Sequence, residues 1–346
     1  MNKLLAALPL VVLVAACGSG GNGSANNAGG QIKIVGSSTV YPFTTAVAEE
    51  FQRANPGSSV IVESTGTGGG IKLFCSGVGN QFPDAVNASR AMKASEYADC
   101  AKNGAKNVIE LPIGIDGLTL IEGKDGPGLN LTTTDIYKAL AANPFGKPNT
   151  ATTWKDVNPS LPAIKIRVLG PPPTSGTRDS FAELILEKGC DSDAAMKALK
   201  KSDDKQHKEV CTKIREDGVY VEAGENDNLL VQKVAADPGT LGVLGFSYLE
   251  ENADKVKPVS LAGVAPTEAT ISDLSYPGSR KLYLYFKGEH LAAKPVTKKF
   301  IEAYSKAWSK GGMLEKRGLV PLGAADATAA TAQATALTPL DASTLK

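Results

Sequence analysis

Three segments of the chain share one pattern, in which a short apolar run leads into a loop rich in Gly, Ser and Thr and then into a helical pattern. The loops are GSST at 36–39, TGTGGG at 65–70 and TSGT at 174–177. Strands that alternate with helices in this way are typical of parallel β/α layers. The sequence therefore predicts an α/β fold, and further strand candidates follow at 108–111, 118–122, 242–246 and 281–286.

The same loops carry a chemical prediction. Each would place backbone N–H groups and hydroxyl donors at the positive end of a helix, which is a favourable position for an anion. One such loop is equally consistent with an ordinary N-cap, but three converging helix starts would surround a small tetrahedral oxyanion. The spacing fits neither GxxxxGK[ST] nor GxGxxG, and the sequence contains no GxSxG motif.

Two arginines are candidates for neutralising such an anion. Arg178 follows the third loop directly, in the first helical turn, where a cation opposes the helix dipole. Arg90 lies in the polar segment NASR. A guanidinium binds phosphate-type oxygens with two parallel hydrogen bonds. The alternative for either residue is an exposed or ion-paired arginine.

The charge balance excludes several classes of protein. There are 37 basic and 36 acidic residues, for a net charge of +1. The net charge therefore gives no electrostatic attraction to nucleic acid or to an anionic membrane. The two histidines, His207 and His290, lie in charged stretches and are expected to be solvated. We therefore expect no His-based triad, no metal site and no cofactor.

The N-terminus has the features of an export signal. Lys3 precedes an apolar run at 4–16 that is too short to span a bilayer, and VAAC at 14–17 resembles the bacterial lipobox. We expect a signal peptide at 1–16, lipidation of Cys17 and a flexible Gly/Ser/Asn tether at 17–30. A plain secretion signal with a coincidental cysteine is the alternative. The predicted location is periplasmic, anchored by lipid to a bacterial membrane.

The remaining cysteines indicate disulfides. Cys75, Cys100, Cys190 and Cys211 include no CxxC pair, and an even number in an oxidising compartment favours bridges over four buried thiols. Proximity favours Cys75–Cys100 and Cys190–Cys211, although four cysteines allow three pairings.

The segments GSSTVYP, ESTGTGGGIK, NASR and GPPPTSGTRDSF occur in the order typical of substrate-binding proteins of phosphate ABC transporters, and the chain resembles this Pst-type family over about 31–323. The resemblance implies a type II periplasmic binding protein fold, with two α/β lobes that close on a ligand at a hinge. The implied divisions are lobe 1 at 31–112 plus 259–323, lobe 2 at 113–258, and a poorly packed Ala/Thr-rich tail at 324–346.

The resemblance also implies a set of phosphate contacts. They are Ser38, Thr39, the amide of Val40, Thr67, Ser175, Gly176 and Thr177, with Arg178 similar to the phosphate-neutralising arginine of the family. The predicted phosphate-binding set further includes Gly68, Ser89, Arg90 and Asp227.

One position departs from the family pattern. The best-known members carry a proton-accepting Asp where this sequence has Arg90. A carboxylate there favours a protonated oxyanion over sulfate. Asp179, Glu222 and Asp227 are possible replacements, of which we favour Asp227, although it would serve equally as a helix N-cap.

The predicted function is high-affinity binding of inorganic phosphate by a monomer, without catalysis, and delivery to the permease and ATPase of an ABC transporter. Another oxyanion (sulfate, molybdate or arsenate) is an alternative ligand. A phosphoesterase with Ser175 or Thr177 as nucleophile is less favoured, because no His pair or acidic metal cluster accompanies these hydroxyls. A signalling rather than a transport role is also open.

Overall fold

The computed structural model describes residues 30–224 and 226–345. The predicted signal peptide, the lipidation site Cys17 and all but the last residue of the tether lie outside these residues. Within the described ranges, no helix combines the length and the apolar character needed to cross a membrane.

The described residues form eleven strands. They are β1 (Gln31–Gly36), β2 (Ser59–Ser64), β3 (Ala85–Ala88), β4 (Val108–Gly123), β5 (Asn130–Leu131), β6 (Val168–Gly170), β7 (Tyr220–Glu222), β8 (Leu241–Gly245), β9 (Val256–Pro258), β10 (Ser260–Leu261) and β11 (Ser279–Lys287).

Fifteen α-helices connect and cover these strands in the described part of the chain. They are α1 (Tyr41–Ala54), α2 (Thr67–Phe74), α3 (Ala94–Lys102), α4 (Thr133–Leu140), α5 (Trp154–Val157), α6 (Gly176–Phe181), α7 (Glu187–Cys190), α8 (Ala194–Ser202), α9 (Asp204–Thr212), α10 (Asp227–Ala236), α11 (Phe246–Glu251), α12 (Glu268–Ser272), α13 (Gly288–Ala293), α14 (Val296–Ala307) and α15 (Ala324–Ala336). A π-helical segment, Ala182–Leu186, joins α6 to α7.

Nine strands form one continuous mixed sheet, in which β9 pairs with β4 beside the order β2-β1-β3-β11-β4-β8-β6-β7. The 16-residue β4 pairs with β11 through its first part and with β8 and β9 through its second. At each end of the sheet three strands are parallel, β2-β1-β3 and β8-β6-β7. β4 therefore continues from one parallel region into the other, as expected where two α/β lobes share a hinge.

Apolar side chains on both faces of the sheet form the core. One large cluster extends from β1 and α14 to β6 and α10, with Ile32, Phe300, Val168 and Val234 fully buried. The short apolar runs before the first and third loops are IKIV at 32–35 and IKIRVL at 164–169, and their β-branched residues are typical of strands. Of IKIRVL, only its last two residues, Val168 and Leu169, belong to β6.

Both predicted disulfides are present. Cys75 pairs with Cys100, linking the end of α2 to α3, and Cys190 pairs with Cys211, linking α7 to α9. All four cysteines are buried.

Two expectations from the sequence are wrong. The C-terminal segment is not poorly packed, because α15 lies against α14 and β4 with Ala330 and Ala334 buried. The histidines are not solvated. The Nε2 atom of His207 shares a 2.8 Å hydrogen bond with Asp191, and the Nδ1 atom of His290 shares a 2.7 Å hydrogen bond with the buried Asp84 carboxylate. Each imidazole therefore has one carboxylate partner.

Candidate functional site

The three Gly/Ser/Thr loops each lead into a helix, as predicted. α1 begins at Tyr41 with Pro42 in its first turn, α2 begins at Thr67 after Gly66, and α6 begins at Gly176. Ser175 caps α6, because its hydroxyl accepts a 3.2 Å hydrogen bond from the Thr177 amide. The local sequence was sufficient here because caps and glycines act within a few residues.

The first and third loops touch across the cleft between the lobes. The Thr39 hydroxyl donates a 3.3 Å hydrogen bond to the Gly176 carbonyl. A Cβ at Gly176 would lie 2.8 Å from the Ser38 carbonyl oxygen and 3.0 Å from the Thr39 Cα. Glycine is therefore needed at this position, since a side chain would hold the loops apart.

The second loop contacts the segment NASR on the same side of the cleft as the first loop, because β2 and β3 both pair with β1. The hydroxyls of Thr67 and Ser89 are 2.8 Å apart, and the Ser89 amide donates to the Thr67 hydroxyl at 3.0 Å. The Ser89 hydroxyl also donates to Glu183 at 3.3 Å. Glu183 belongs to the π-helical segment, so this bond too connects residues on opposite sides of the cleft.

One arginine, Arg280 at the start of β11, lies at the centre of these groups. Its guanidinium donates to the hydroxyls of Thr39 at 3.1 Å and Ser180 at 2.9 Å. It also pairs with Asp116 on β4 at 3.2 Å and with Glu183. The side chain is only 11% exposed, so its positive charge is concentrated inside the cleft.

Carboxylates also lie close to Arg280 in the cleft. Asp116 and Glu183 pair with its guanidinium, and the Ser38 hydroxyl donates to Asp179. Burial raises the pKa of Asp179, and the nearby Glu183 raises it further, while the hydrogen bond from Ser38 opposes both. An anion that enters this site meets carboxylates as well as donors, so one that brings its own proton is favoured.

The two arginines indicated by the sequence have other partners than the cleft hydroxyls, although Arg90 lines a cavity together with Ser89, Glu183 and Arg280. Arg90 forms a two-bond ion pair with Glu96, at 2.8 and 2.9 Å. The Arg178 guanidinium lies over the Tyr220 ring, 4.6 Å from its centroid, and donates to the Pro171 carbonyl. Burial raises the pKa of Tyr220 to about 12, so the ring stays neutral beneath the cation. Arg280 contacts the cleft hydroxyls directly, and a ligand-binding role for Arg90 and Arg178 stays a prediction.

The other predicted residues divide into two groups. A cavity of about 680 Å³ between the lobes is lined by Ser38, Thr39, Ser175, Gly176, Thr177 and Asp227. The second group makes contacts outside this lining. Thr67 and Ser89 contact each other near Glu183, and the Val40 amide donates to the Ser37 hydroxyl at 3.4 Å. Gly68 is exposed in the first turn of α2.

Sequence reasoning missed Arg280, Asp116, Ser180 and Glu183. A signal was present for two of them, since Asp116 interrupts the apolar run LPIGIDGLTL and Arg280 precedes the run LYLYF. Lone charges in strands of a buried sheet require partners. The two residues face each other in the β4–β11 register.

Comparisons with known proteins agree with this architecture. A family model described as a PBP superfamily domain matches residues 22–306. Protein SphX of Synechococcus elongatus is 36% identical over 303 residues, which is 86% of this chain and 79% of that protein. The phosphate-binding protein PstS of Staphylococcus saprophyticus is 32% identical over 322 residues, 92% of this chain and 88% of that one.

A solved structure shows the same fold. The crystal structure of a possible phosphate binding protein from Planctomyces limnophilus is similar with a TM-score of 0.73 and 29% identity, covering 89% of this chain and 99% of that one. With a superfamily model that covers most of the chain and curated relatives above 30% identity along nearly its full length, the chain belongs to the PBP superfamily, in the family of its SphX and PstS relatives.

Proposed function

We propose that the chain is the substrate-binding protein of an ABC transporter and binds inorganic phosphate between its two lobes. The observation that carries this proposal is the convergence of three donor loops and Arg280 on one cleft. The names of the SphX and PstS relatives support phosphate as the ligand. The lobe boundaries near 112 and 258, the monomeric state, the permease partner and the lipid anchor at Cys17 remain parts of the same proposal.

Neutral donors supply most of the proposed contacts. The hydroxyls of Ser38, Thr39, Thr67 and Ser89, with those of the third loop, would each donate to a phosphate oxygen after turning from their present partners. Hydroxyls can do this because they rotate and both donate and accept. The helix starts at α1, α2 and α6 add amide donors and a favourable dipole.

Arg280 would supply the charge. Its fork already contacts Thr39 from the first loop and Ser180 from α6, so an anion bound between those loops lies within its reach. Binding would exchange a carboxylate partner of Arg280 for phosphate oxygens. Arg90 and Arg178 keep a proposed secondary role at the rim.

A carboxylate would accept the proton of hydrogen phosphate. Asp179 is the best placed, because it already accepts a hydrogen bond from Ser38 of the first loop and its pKa is raised by burial. Asp227 also lines the cavity and is the second candidate. Such an acceptor repels a fully ionised sulfate.

The test is isothermal titration of phosphate-stripped protein with phosphate and then sulfate. We expect one-to-one phosphate binding and no sulfate binding in the wild type. In Asp179→Asn we expect weaker phosphate binding and measurable sulfate binding, while Asp227→Asn distinguishes the second candidate. Equal affinity of the wild type for both anions would make the protein a general oxyanion receptor, and silence for both would remove the phosphate assignment.

The rival phosphoesterase makes a separate prediction. Ser175 is occupied as the cap of α6, and among the described residues that line the cavity there is no histidine to activate it. A chromogenic phosphate ester with added divalent metals should therefore show no turnover above background.

A further inference from the structure

We propose that Cys190, His207 and Cys211 form a site for a thiophilic divalent cation such as Zn²⁺ when the Cys190–Cys211 disulfide is reduced. The two sulfurs and one imidazole nitrogen lie within 4.8 Å of one another, and all three residues are buried. Two thiolates and an imidazole are ligands that Zn²⁺ prefers, at about 2.3 Å for sulfur and 2.0–2.1 Å for nitrogen. The proposed transport role uses none of these three residues.

The histidine is the second observation that points to a ligand. His207 is fully buried, and its Nε2 lies 2.8 Å from Asp191. Its other ring nitrogen, Nδ1, is also buried and has no hydrogen-bond partner among the described residues. A buried polar atom without a partner is costly, and a metal ion would satisfy it. A carboxylate on the far nitrogen is the arrangement that orients metal-binding histidines.

The three ligands lie on two helices, α7 and α9, that pack against each other. His207 and Cys211 are four residues apart on α9 and therefore share one face of that helix. Cys190 ends α7, with its Cα 5.6 Å from the Cα of Cys211. Lys200 on α8 pairs with Asp191 at 2.7 Å, which fixes the carboxylate that holds the imidazole.

The second disulfide provides a natural comparison within the same chain. Among the described residues, the groups of three or more potential ligands include no cluster at Cys75 and Cys100. Reduction of that pair would give two thiols without a third ligand. Two-ligand sites bind Zn²⁺ far more weakly than sites with three or four ligands.

The chemical step balances with a phosphine as the reductant. The S–S bond breaks, the phosphine supplies two electrons and takes the oxygen of water, and each sulfur gains a proton. Zn²⁺ then forms two S–Zn bonds and one N–Zn bond as two protons leave. Dioxygen reverses the step, because it takes two electrons from the thiolate pair and one of its oxygen atoms gains two protons to leave as water, while the S–S bond forms and Zn²⁺ is released. The metal and the disulfide therefore exclude each other.

The experiment uses the whole chain, reduced with a phosphine in the absence of oxygen and titrated with Co²⁺ as a spectroscopic substitute for Zn²⁺. We expect one Co²⁺ per chain with a thiolate-to-cobalt absorption band, displaced by Zn²⁺. The band should persist in Cys75→Ser/Cys100→Ser and be lost in Cys190→Ser/Cys211→Ser. Cys17 is present in every variant, so it does not account for a difference between them.

His207→Gln tests the imidazole with all cysteines in place, and its Co²⁺ affinity should fall at least about tenfold. Asp191→Asn retains all three ligands and should weaken binding by about 10- to 100-fold, as expected of a group that orients a ligand. Unchanged affinity in His207→Gln would overturn the proposal, as would a band that requires Cys75 and Cys100. Circular dichroism follows the fold throughout, and a reduced wild type that unfolds and binds no Co²⁺ would overturn it as well.

Discussion

A single guanidinium connects most of the polar groups in the cleft. Arg280 contacts the first loop through Thr39, α6 through Ser180, and the carboxylates of Asp116 and Glu183. These partners come from positions far apart in the sequence, 241, 100, 164 and 97 residues from Arg280. An arginine that is buried among groups of this kind can exchange a partner for an anion without moving its backbone.

Replacing Arg280 should therefore reduce phosphate affinity more than replacing either rim arginine. We expect Arg280→Lys to lose about 10- to 100-fold in Kd, because a charged hydrogen bond contributes about 1.5–3 kcal/mol and an ammonium cannot reproduce the two-bond fork. Arg90→Lys and Arg178→Lys are the matched comparisons. Titration calorimetry measures all three, and a larger loss in Arg178→Lys would transfer the role to Arg178.

Asp179 should make stability depend on pH in an unusual direction. Its pKa is raised in the folded protein, so the folded state holds the proton more tightly than the unfolded state does. The stability that comes from this tighter proton binding is fully present at pH values below the ordinary Asp pKa. It is lost as the pH rises through the raised pKa of the folded protein. Asp179→Asn should therefore increase the free energy of unfolding at neutral pH, by less than about 1 kcal/mol in a partly solvated cleft, and not at acid pH.

Asp273 serves as a control, because its pKa shift is opposite in direction to that of Asp179. Hydrogen bonds from Ser275 lower its pKa, so its contribution is present above the ordinary pKa and is lost as pH falls. Asp273→Asn should destabilise the protein at neutral pH. Urea denaturation at several pH values compares the two variants, and the same sign for both would contradict the linkage argument.

At the scale of elements, the C-terminal helix α15 packs against the protein although its composition is typical of a loose tail. The segment 324–336 is rich in Ala and Thr and lacks a broad apolar stripe, which suggested a loose tail. Alanine nevertheless has the highest helix propensity, and its small side chain permits close packing. Ala330 and Ala334, four residues apart, are buried, and beyond the helix the Leu340 amide donates to the Val108 carbonyl at 2.7 Å.

Removing residues 324–346 should destabilise the folded protein. The truncation uncovers the surfaces of α14 and β4 on which α15 lies and removes the 2.5 Å ion pair between Asp326 and Lys281. We expect a loss on the order of 2 kcal/mol, mainly from the apolar area that becomes exposed. Thermal denaturation of the truncated chain is the measurement. Asp326→Asn removes only the ion pair, which should contribute less than about 1 kcal/mol because both side chains are partly exposed.

At the scale of the whole molecule, the sequence predicts features that depend on residues close together in the chain. It misses contacts that form only when distant segments pack together. The three helix starts, the disulfide pairs and most strands follow from signals within a few residues, and the comparison with a family supplied the two-lobed arrangement. Arg280 and Asp116 escaped because their importance arises only when β11 pairs with β4. The partners of Arg90 and Arg178 also escaped, because a position beside a loop does not determine the direction of a long side chain.

The described cleft is closed, and the contacts that close it are polar. Its two sides are joined by the hydrogen bonds Ser38–Asp179, Ser89–Glu183 and Thr39–Gly176. Polar surfaces joined by such bonds separate readily, because water replaces the lost partners. We therefore expect the lobes to move apart without a ligand and to close on phosphate. Small-angle scattering should detect a smaller radius of gyration when phosphate is added.

Gly176→Val tests this closure, because its Cβ would lie 2.8 Å from the Ser38 carbonyl. We expect the variant to remain folded, to lose at least about tenfold in phosphate affinity, and to show no contraction in scattering. The control is Gly323→Ala, outside the three loops, where a Cβ meets nothing within 4 Å and phosphate affinity should not change. Phosphate at 100 times its Kd should stabilise the wild type by about 2.7 kcal/mol in thermal denaturation. A Gly176→Val protein that contracts and is stabilised to the same extent would show that binding does not require these loops to meet.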